Sequence, residues 1–171
     1  MPKFTHFEHD EFIAAVRALA EQIRGDPWQP TYIIGIGRGG LTPAVFLSHA
    51  TGVPMLSVDV SAPVPAFNGD LLTKLAERTR GGERLLFVDD INDSGGTIHA
   101  LRHGLAAAGG DIAATRFAVL IDNRSSRERV EYGFREIDRQ VDKDWFVFPW
   151  EAMAPSETIA EDAAEIPERI A

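Results

Sequence analysis

The chain has no cysteine in its 171 residues, which excludes disulfide stapling and thiolate metal sites. It also lacks any run near the ~20 apolar residues needed to span a bilayer. The first ten residues are polar and carry no apolar core of a secretory leader. Positive charge is short as well: 17 Lys and Arg against 26 Asp and Glu leave a net charge of −9. Such a chain repels phosphate backbones, so no nucleic-acid partner is expected; the lack of a spanning run leaves no membrane expected, and the lack of cysteine favours the cytoplasm. The same field opposes a small polyanion at long range. Any such ligand would have to be held by local backbone N–H groups, a few arginines and a metal ion. What is present is ordinary for a globular domain, 44% hydrophobic and 25% charged residues, at a length that supports one sizeable core.

Residues 7–24 place Phe12, Val16, Leu19, Ala20 and Ile23 at helical spacing, stopped by Gly25, Asp26 and Pro27. Strands are predicted over 31–36, 55–60, 85–88, 112–121, 131–141 and 145–150. Helices are predicted over 41–50, 70–79 and 97–108, with a tight turn at 37–40 and an exposed loop at 61–69. This alternation predicts one α/β domain over residues 1–153, with a largely parallel central sheet flanked by helices. The acidic stretch 154–171 lacks periodicity and is expected to be a loose or peripheral tail.

The most informative stretch is 85–97, Leu-Leu-Phe-Val-Asp-Asp-Ile-Asn-Asp-Ser-Gly-Gly-Thr. A buried strand leads into two adjacent carboxylates, Asp89 and Asp90, and then into a third, Asp93. Gly95 and Gly96 let the backbone close tightly and aim N–H groups at one point. A helix N-terminus adds partial positive charge there, and Ser94 and Thr97 add hydroxyls. A phosphate monoester suits that cup, while Asp89 and Asp90 suit sugar hydroxyls or a hydrated magnesium ion. Residues 35–40 read Gly-Ile-Gly-Arg-Gly-Gly, which satisfies the G-x-G-x-x-G pattern, with Asp59 about 20 residues on as a dinucleotide fold wants. Two features oppose that reading: a helix precedes this strand, and a dinucleotide gives no reason for a second anion cup. The alternative is a diphosphate loop in which Arg38 and the Gly39 backbone supply the donors.

The signature order resembles the 5-phosphoribosyl-1-pyrophosphate (PRPP) motif of type I phosphoribosyltransferases, and Arg38-Gly39-Gly40 resembles their pyrophosphate loop. Trp145-Phe146-Val147-Phe148-Pro149-Trp150-Glu151 is similar to the C-terminal segment of the 6-oxopurine (xanthine-guanine) branch. The resemblance spans residues 32–151 and implies the type I fold, with a small hood built from the terminal segments. It implies a Mg2+-dependent enzyme that moves the phosphoribosyl group of PRPP to a purine base (guanine, xanthine or hypoxanthine) and acts as a homodimer or tetramer. A non-catalytic PRPP-binding regulator on the same fold is the alternative.

By the same resemblance Asp93 is the catalytic group facing purine N7. Arg38, Gly39, Asp89, Asp90, Ser94, Gly95, Gly96 and Thr97 hold PRPP, with the metal at Asp89 and Asp90. Trp145 and Phe146 contact the base, and the loop at 61–69 sits where relatives carry a mobile lid. One departure matters. The lysine that relatives use for the exocyclic O6 is missing, Asn123 stands about where it is expected, and Arg124 is the nearest charge, so the base stays open. Phe148 and Trp150 are assigned to the core, Lys74 to an exposed helix face, and residues 124–129 to a solvated turn. The histidines, His99 and His103 included, show no metal-ligand pattern.

Overall fold

The computed structural model describes residues 3–59 and 65–164, with the side chains of 65–68 not described. Seven strands and five helices alternate in the order β1 (Phe4–His6), α1 (His9–Gly25), β2 (Tyr32–Ile36), α2 (Gly37–Thr51), β3 (Met55–Val58), α3 (Pro65–Arg80), β4 (Leu85–Asn92), α4 (Gly96–Ala107), β5 (Thr115–Asn123), β6 (Tyr132–Ile137), β7 (Trp145–Val147) and α5 (Ser156–Ala164). Five strands form one sheet in the order β3-β2-β4-β5-β6, every pair parallel. The hood is a second, two-stranded sheet in which β1 and β7 pair in parallel, Phe4 opposite Trp145. Among the described residues no helix is long and apolar enough to cross a membrane.

Strand β4 shows why its residues form a central strand. Leu85, Leu86, Phe87 and Val88 are fully buried, as a parallel strand covered on both faces requires. They alternate between two cores: Leu86 and Val88 join α1, α2 and the hood aromatics, while Leu85 and Phe87 join α3 and α4. Phe87 stacks on Phe117 of β5, centroids 5.2 Å apart. On the hood side Phe148 stacks on Trp150 at 5.1 Å, and Phe12 meets Trp150 edge-on at 5.4 Å. Those two residues are therefore packed as the sequence predicts.

Several boundaries differ, each for a local reason. Helix α2 begins at Gly37, so residues 37–40 are its first turn and not a separate loop. Strand β4 runs on through Asn92, which places Asp89 and Asp90 inside the strand. Helix α3 starts at Pro65, a residue suited to a first helical turn. Of the expected lid, residues 61–64 lie outside the described residues and 65–69 are helical. The tail is not loose throughout: Ser156–Ala164 forms α5, with Ala163 buried.

Candidate functional site

The chain moves outward from β2 to β3, then returns to the other side of β2 to lay down β4. Connections leaving β2 and β4 thus diverge, and the crevice beyond their C-terminal ends is where open parallel sheets hold ligands. Helix α2 can sit close over this crevice because two positions lack side chains. A Cβ on Gly40 would overlap the Val88 carbonyl oxygen, and one on Gly35 would stand 3.0 Å from the Ala44 Cβ. These glycines of the G-x-G-x-x-G pattern therefore serve helix-on-strand packing, which removes the need for a dinucleotide. Gly39 lies directly against the Asp90 carboxylate, where a Cβ would also collide. Arg38, exposed in the same first turn, makes no ion pair among the described residues.

Asp89 and Asp90 form the floor. The Asp90 N–H donates to Asp89 Oδ1 at 3.0 Å, and the Ile91 N–H donates to Asp90 Oδ1 at 2.7 Å. Burial, then the charge of Glu151, pushes the Asp90 carboxyl up to about 7. Burial, then the charge of Asp90, raises Asp89 well above the ordinary range. This is a concentration of negative charge that a divalent cation would relieve. The donors are all carboxylate oxygens, which suits a hard cation. Among the described residues, though, no three acids or histidines are gathered tightly enough to cage one alone. Magnesium, which keeps waters and shares substrate phosphates, fits such a donor set.

The anion cup follows at once. Gly95 adopts φ +84°, and a Cβ there would meet Ser126 Oγ at 2.7 Å and the Glu128 nitrogen at 2.9 Å, so only glycine fits. Ser94 to Ile98 line one end of the cavity, where the first-turn N–H groups of α4 have no intrahelical partner. The cup is braced from behind. Asn92 Nδ2 donates to Asp122 and to the Glu128 carbonyl, and Ser126 Oγ donates to Asn92 Oδ1 at 3.0 Å. This bracing carries Arg127 to the cup: its N–H donates to the Ser94 carbonyl at 3.4 Å, and its Nη2 lies 3.6 Å from where a Gly96 Cβ would be. The segment 124–129 is the exposed turn the sequence predicts, with Arg124, Ser125, Arg127 and Arg129 exposed, and it braces the cup through buried Ser126. Glu128 pairs with His99 and Arg102, and that accounts for His99 without a metal.

On the opposite side Trp145, Phe146 and Phe148 form an aromatic wall. Facing it is a tripod that the sequence did not announce. Arg139, 3% exposed, donates from Nε to Asp93 Oδ1 at 2.8 Å and from Nη2 to Asp93 Oδ2 at 3.2 Å. Asn123, also 3% exposed, donates from Nδ2 to the Asp93 carbonyl and accepts the Arg139 N–H on Oδ1 at 3.0 Å. Its Oδ1 accepts from Ser125 as well, so the Asn123 oxygen is engaged within the protein, and the residue is not part of the lining of the cavity. Arg124 points away from it, paired with Asp138 at 2.6 Å. Sequence reasoning misses Arg139 because it lies between β6 and β7, outside every motif; only its place near Asp93 identifies it.

These parts enclose two joined cavities of about 300 and 510 Å³, within the usual range for small-molecule sites. Asp89, Asp90, Thr97, Trp145 and Glu151 line both. The first continues to the cup, Asp93 and Arg139. The second continues to Arg38, Gly39 and helix α5, whose Thr158, Ile159 and Asp162 form its outer wall. All the expected residues except Asn123 therefore meet around one connected space.

A family model, the phosphoribosyl transferase domain, matches residues 6–156. Xanthine-guanine phosphoribosyltransferase of Cereibacter sphaeroides is 28% identical over 158 residues, covering 85% of this chain and 86% of that protein. Adenine phosphoribosyltransferase of Rhodospirillum centenum is 27% identical over 128 residues, 69% of this chain and 74% of that one. The crystal structure of a purine phosphoribosyltransferase from Pyrococcus horikoshii superposes with a TM-score of 0.66 at 25% identity, covering 89% of this chain and 97% of that one. The family match runs from the last residue of the hood strand β1 through the cup and the aromatic wall to the first residue of α5, taking in most of the chain, and the chain accordingly belongs to the phosphoribosyltransferase family.

Proposed function

We propose that this protein transfers the 5-phosphoribosyl group of PRPP to a 6-oxopurine base (guanine, xanthine or hypoxanthine), giving a nucleoside monophosphate and pyrophosphate. The carrying observation is the joined pair of cavities, with an amide-and-hydroxyl cup at one end, Arg38 and Gly39 at the other and paired acids between. PRPP has that distribution of charge: a 5′-phosphate, two ribose hydroxyls and a diphosphate. An acidic protein can bind it only through such local donors.

In this reading Ser94, Gly95, Gly96 and Thr97 hold the 5′-phosphate. Arg38 and the Gly39 backbone hold the diphosphate. Asp89 and Asp90 accept from the ribose hydroxyls, and Trp145 and Phe146 flank the base. The reaction breaks the C1′–O bond to pyrophosphate and forms a bond from C1′ to a ring nitrogen, through an oxocarbenium-like state like that of glycoside cleavage. Asp93 accepts the ring proton that the base loses as its nucleophilic nitrogen gains electron density. Magnesium, when bound with the substrate, neutralises the leaving diphosphate. The rest is positioning and charge placement.

The test is direct. Protein, magnesium and PRPP are incubated with hypoxanthine, guanine, xanthine or adenine, and nucleotide and pyrophosphate are measured. Nucleotide formation that falls at least ~100-fold in Asp93→Asn, with PRPP affinity kept, supports the reading. PRPP binding without turnover on any base would instead assign a PRPP-binding regulator, and no PRPP affinity in calorimetry with magnesium refutes both.

A further inference from the structure

The floor of the smaller cavity carries one charge that neither the phosphate cup nor the diphosphate end requires. Arg139 is the only cationic side chain among the described residues lining that cavity. It is held on every side. Nε and Nη2 fork the Asp93 carboxylate, and Nη1 donates to the Asp144 carbonyl at 2.5 Å and to that of Asp142 at 3.4 Å. The guanidinium lies over the Phe146 ring, 5.3 Å from its centroid. A guanidinium has five N–H groups, and these bonds engage four of them. The fifth is on Nη2, next to the carboxylate. Each Asp93 oxygen takes one N–H from Arg139 and keeps a further lone pair. The result is an N–H donor and a carboxylate acceptor side by side, with the guanidinium packed on Phe146 of the aromatic wall.

We propose that Arg139 is the specificity-determining residue of the base pocket: its remaining Nη2 N–H, beside the Asp93 carboxylate, takes a purine edge that carries an exocyclic oxygen next to a ring N–H. This rests on the transferase reading above. A 6-oxopurine protonated at N7 offers that order, oxygen to Arg139 and N–H to Asp93. A 6-aminopurine turns an amine toward an arginine donor, and two donors then face each other with no acceptor between them. The guanidinium is held in place by two main-chain carbonyls on Nη1 and by the Asp93 fork on Nε and Nη2. A rigid site rejects the mismatched group more strongly than a flexible one, since its buried N–H stays unpaired.

The experiment compares kcat/KM for hypoxanthine and adenine at saturating PRPP in wild type, Arg139→Met and Arg139→Lys, with PRPP affinity measured alongside by calorimetry. Wild type is expected to favour hypoxanthine by about 100-fold or more. Arg139→Met should lower kcat/KM for both bases, because Asp93 loses its fork, and should lower the hypoxanthine value about 10- to 100-fold further than adenine's, the range for one hydrogen bond to a charged group. The ratio then collapses while PRPP affinity stays within twofold. Arg139→Lys keeps the charge without the fork and should recover part of the ratio. A ratio unchanged in both variants overturns this proposal alone, whereas wild type favouring adenine overturns it together with the 6-oxopurine assignment and leaves only phosphoribosyl transfer from PRPP standing. Should Arg139→Met not fold, Arg139→Lys decides alone, and an unchanged ratio there is equally fatal. Absence of nucleotide from every base overturns the transferase reading and this proposal with it.

Discussion

Replacing Asp90 with asparagine should stabilise the protein while removing its activity. In the metal-free protein the Asp90 carboxyl titrates at about 7, against an ordinary 3.8 in the unfolded chain. Below 3.8 both states hold the proton and there is no penalty. Between the two values the unfolded chain releases the proton and the fold retains it, so stability falls as pH rises, and the full penalty is reached above about 7. Each pH unit of that interval is worth about 1.4 kcal/mol, which makes about 4 kcal/mol an upper limit. The substituted amide keeps an Oδ1 acceptor for the Ile91 N–H and fills the same space against Gly39. It also lifts one of the two pressures on Asp89. In EDTA at pH 8 the Asp90→Asn variant should therefore be more stable by about 2–4 kcal/mol, which for a chain of this size raises Tm by roughly 5–15 °C. At pH 4 the two proteins should melt within about 2 °C of each other. Differential scanning calorimetry at both pH values gives the answer. A wild type that melts at or above the variant at pH 8 refutes the claim that this floor is repulsive without its ligands.

Gly40→Ala forces a methyl into the Val88 carbonyl and should cost about 1–3 kcal/mol, the usual penalty for overpacking, or prevent folding, as read by urea melts. A melt unchanged from wild type would mean that α2 is not held against β4. Arg127→Ala removes the guanidinium beside Gly96 and should raise KM for PRPP about tenfold with kcat within threefold, since one charge-assisted contact to phosphate is of that order. A fall in kcat alone would put Arg127 outside the cup. Asn123→Ala cuts the tie between the Asp93 carbonyl and the Arg139 N–H. It should lower kcat at least about tenfold and leave the hypoxanthine-to-adenine ratio near that of wild type, whereas a changed ratio would return Asn123 to direct base contact.

How much of this was legible in the sequence depends on how far apart the cooperating residues lie. Both ends proposed to bind anions are local devices. The proposed cup lies within residues 93–98 and the proposed diphosphate end within 37–40, so residue types at fixed spacing point to them, and both segments lie beyond the ends of adjacent strands and line the cavities. Strand β4 was legible for a similar reason, since four apolar residues in succession fit a strand buried on both faces. The misplaced boundaries share one cause. Asp89 and Asp90 look like the end of a strand by polarity, yet their backbone continues the ladder to β5, with Asp89 opposite Val119 and Asn92 opposite Asp122. Residues 37–40 look like a turn by glycine content, but Gly39 and Gly40 are there because a helix must touch a strand. Glycine reports the absence of a side chain, and polarity reports exposure; neither reports the backbone path.

The base side is different in kind. Its floor joins Asp93 from the β4–α4 connection, Asn123 from the end of β5 and Arg139 from beyond β6, residues 30 and 46 positions from Asp93. Nothing in the local sequence of Arg139 distinguishes it from the arginines around it. Arg124 and Arg135 pair with Asp138 and Glu11, and Arg127 braces the cup through its main-chain N–H. Only parallel pairing of β4, β5 and β6 brings their C-terminal ends together, and only burial makes one arginine the partner of Asp93. Phosphate recognition can be copied as a short motif because backbone amides do it. In the proposed reading base recognition depends on which side chain folding delivers to a cavity floor, so a chain can keep the first intact while the residue proposed for the second lies in a different connection, here the turn between β6 and β7.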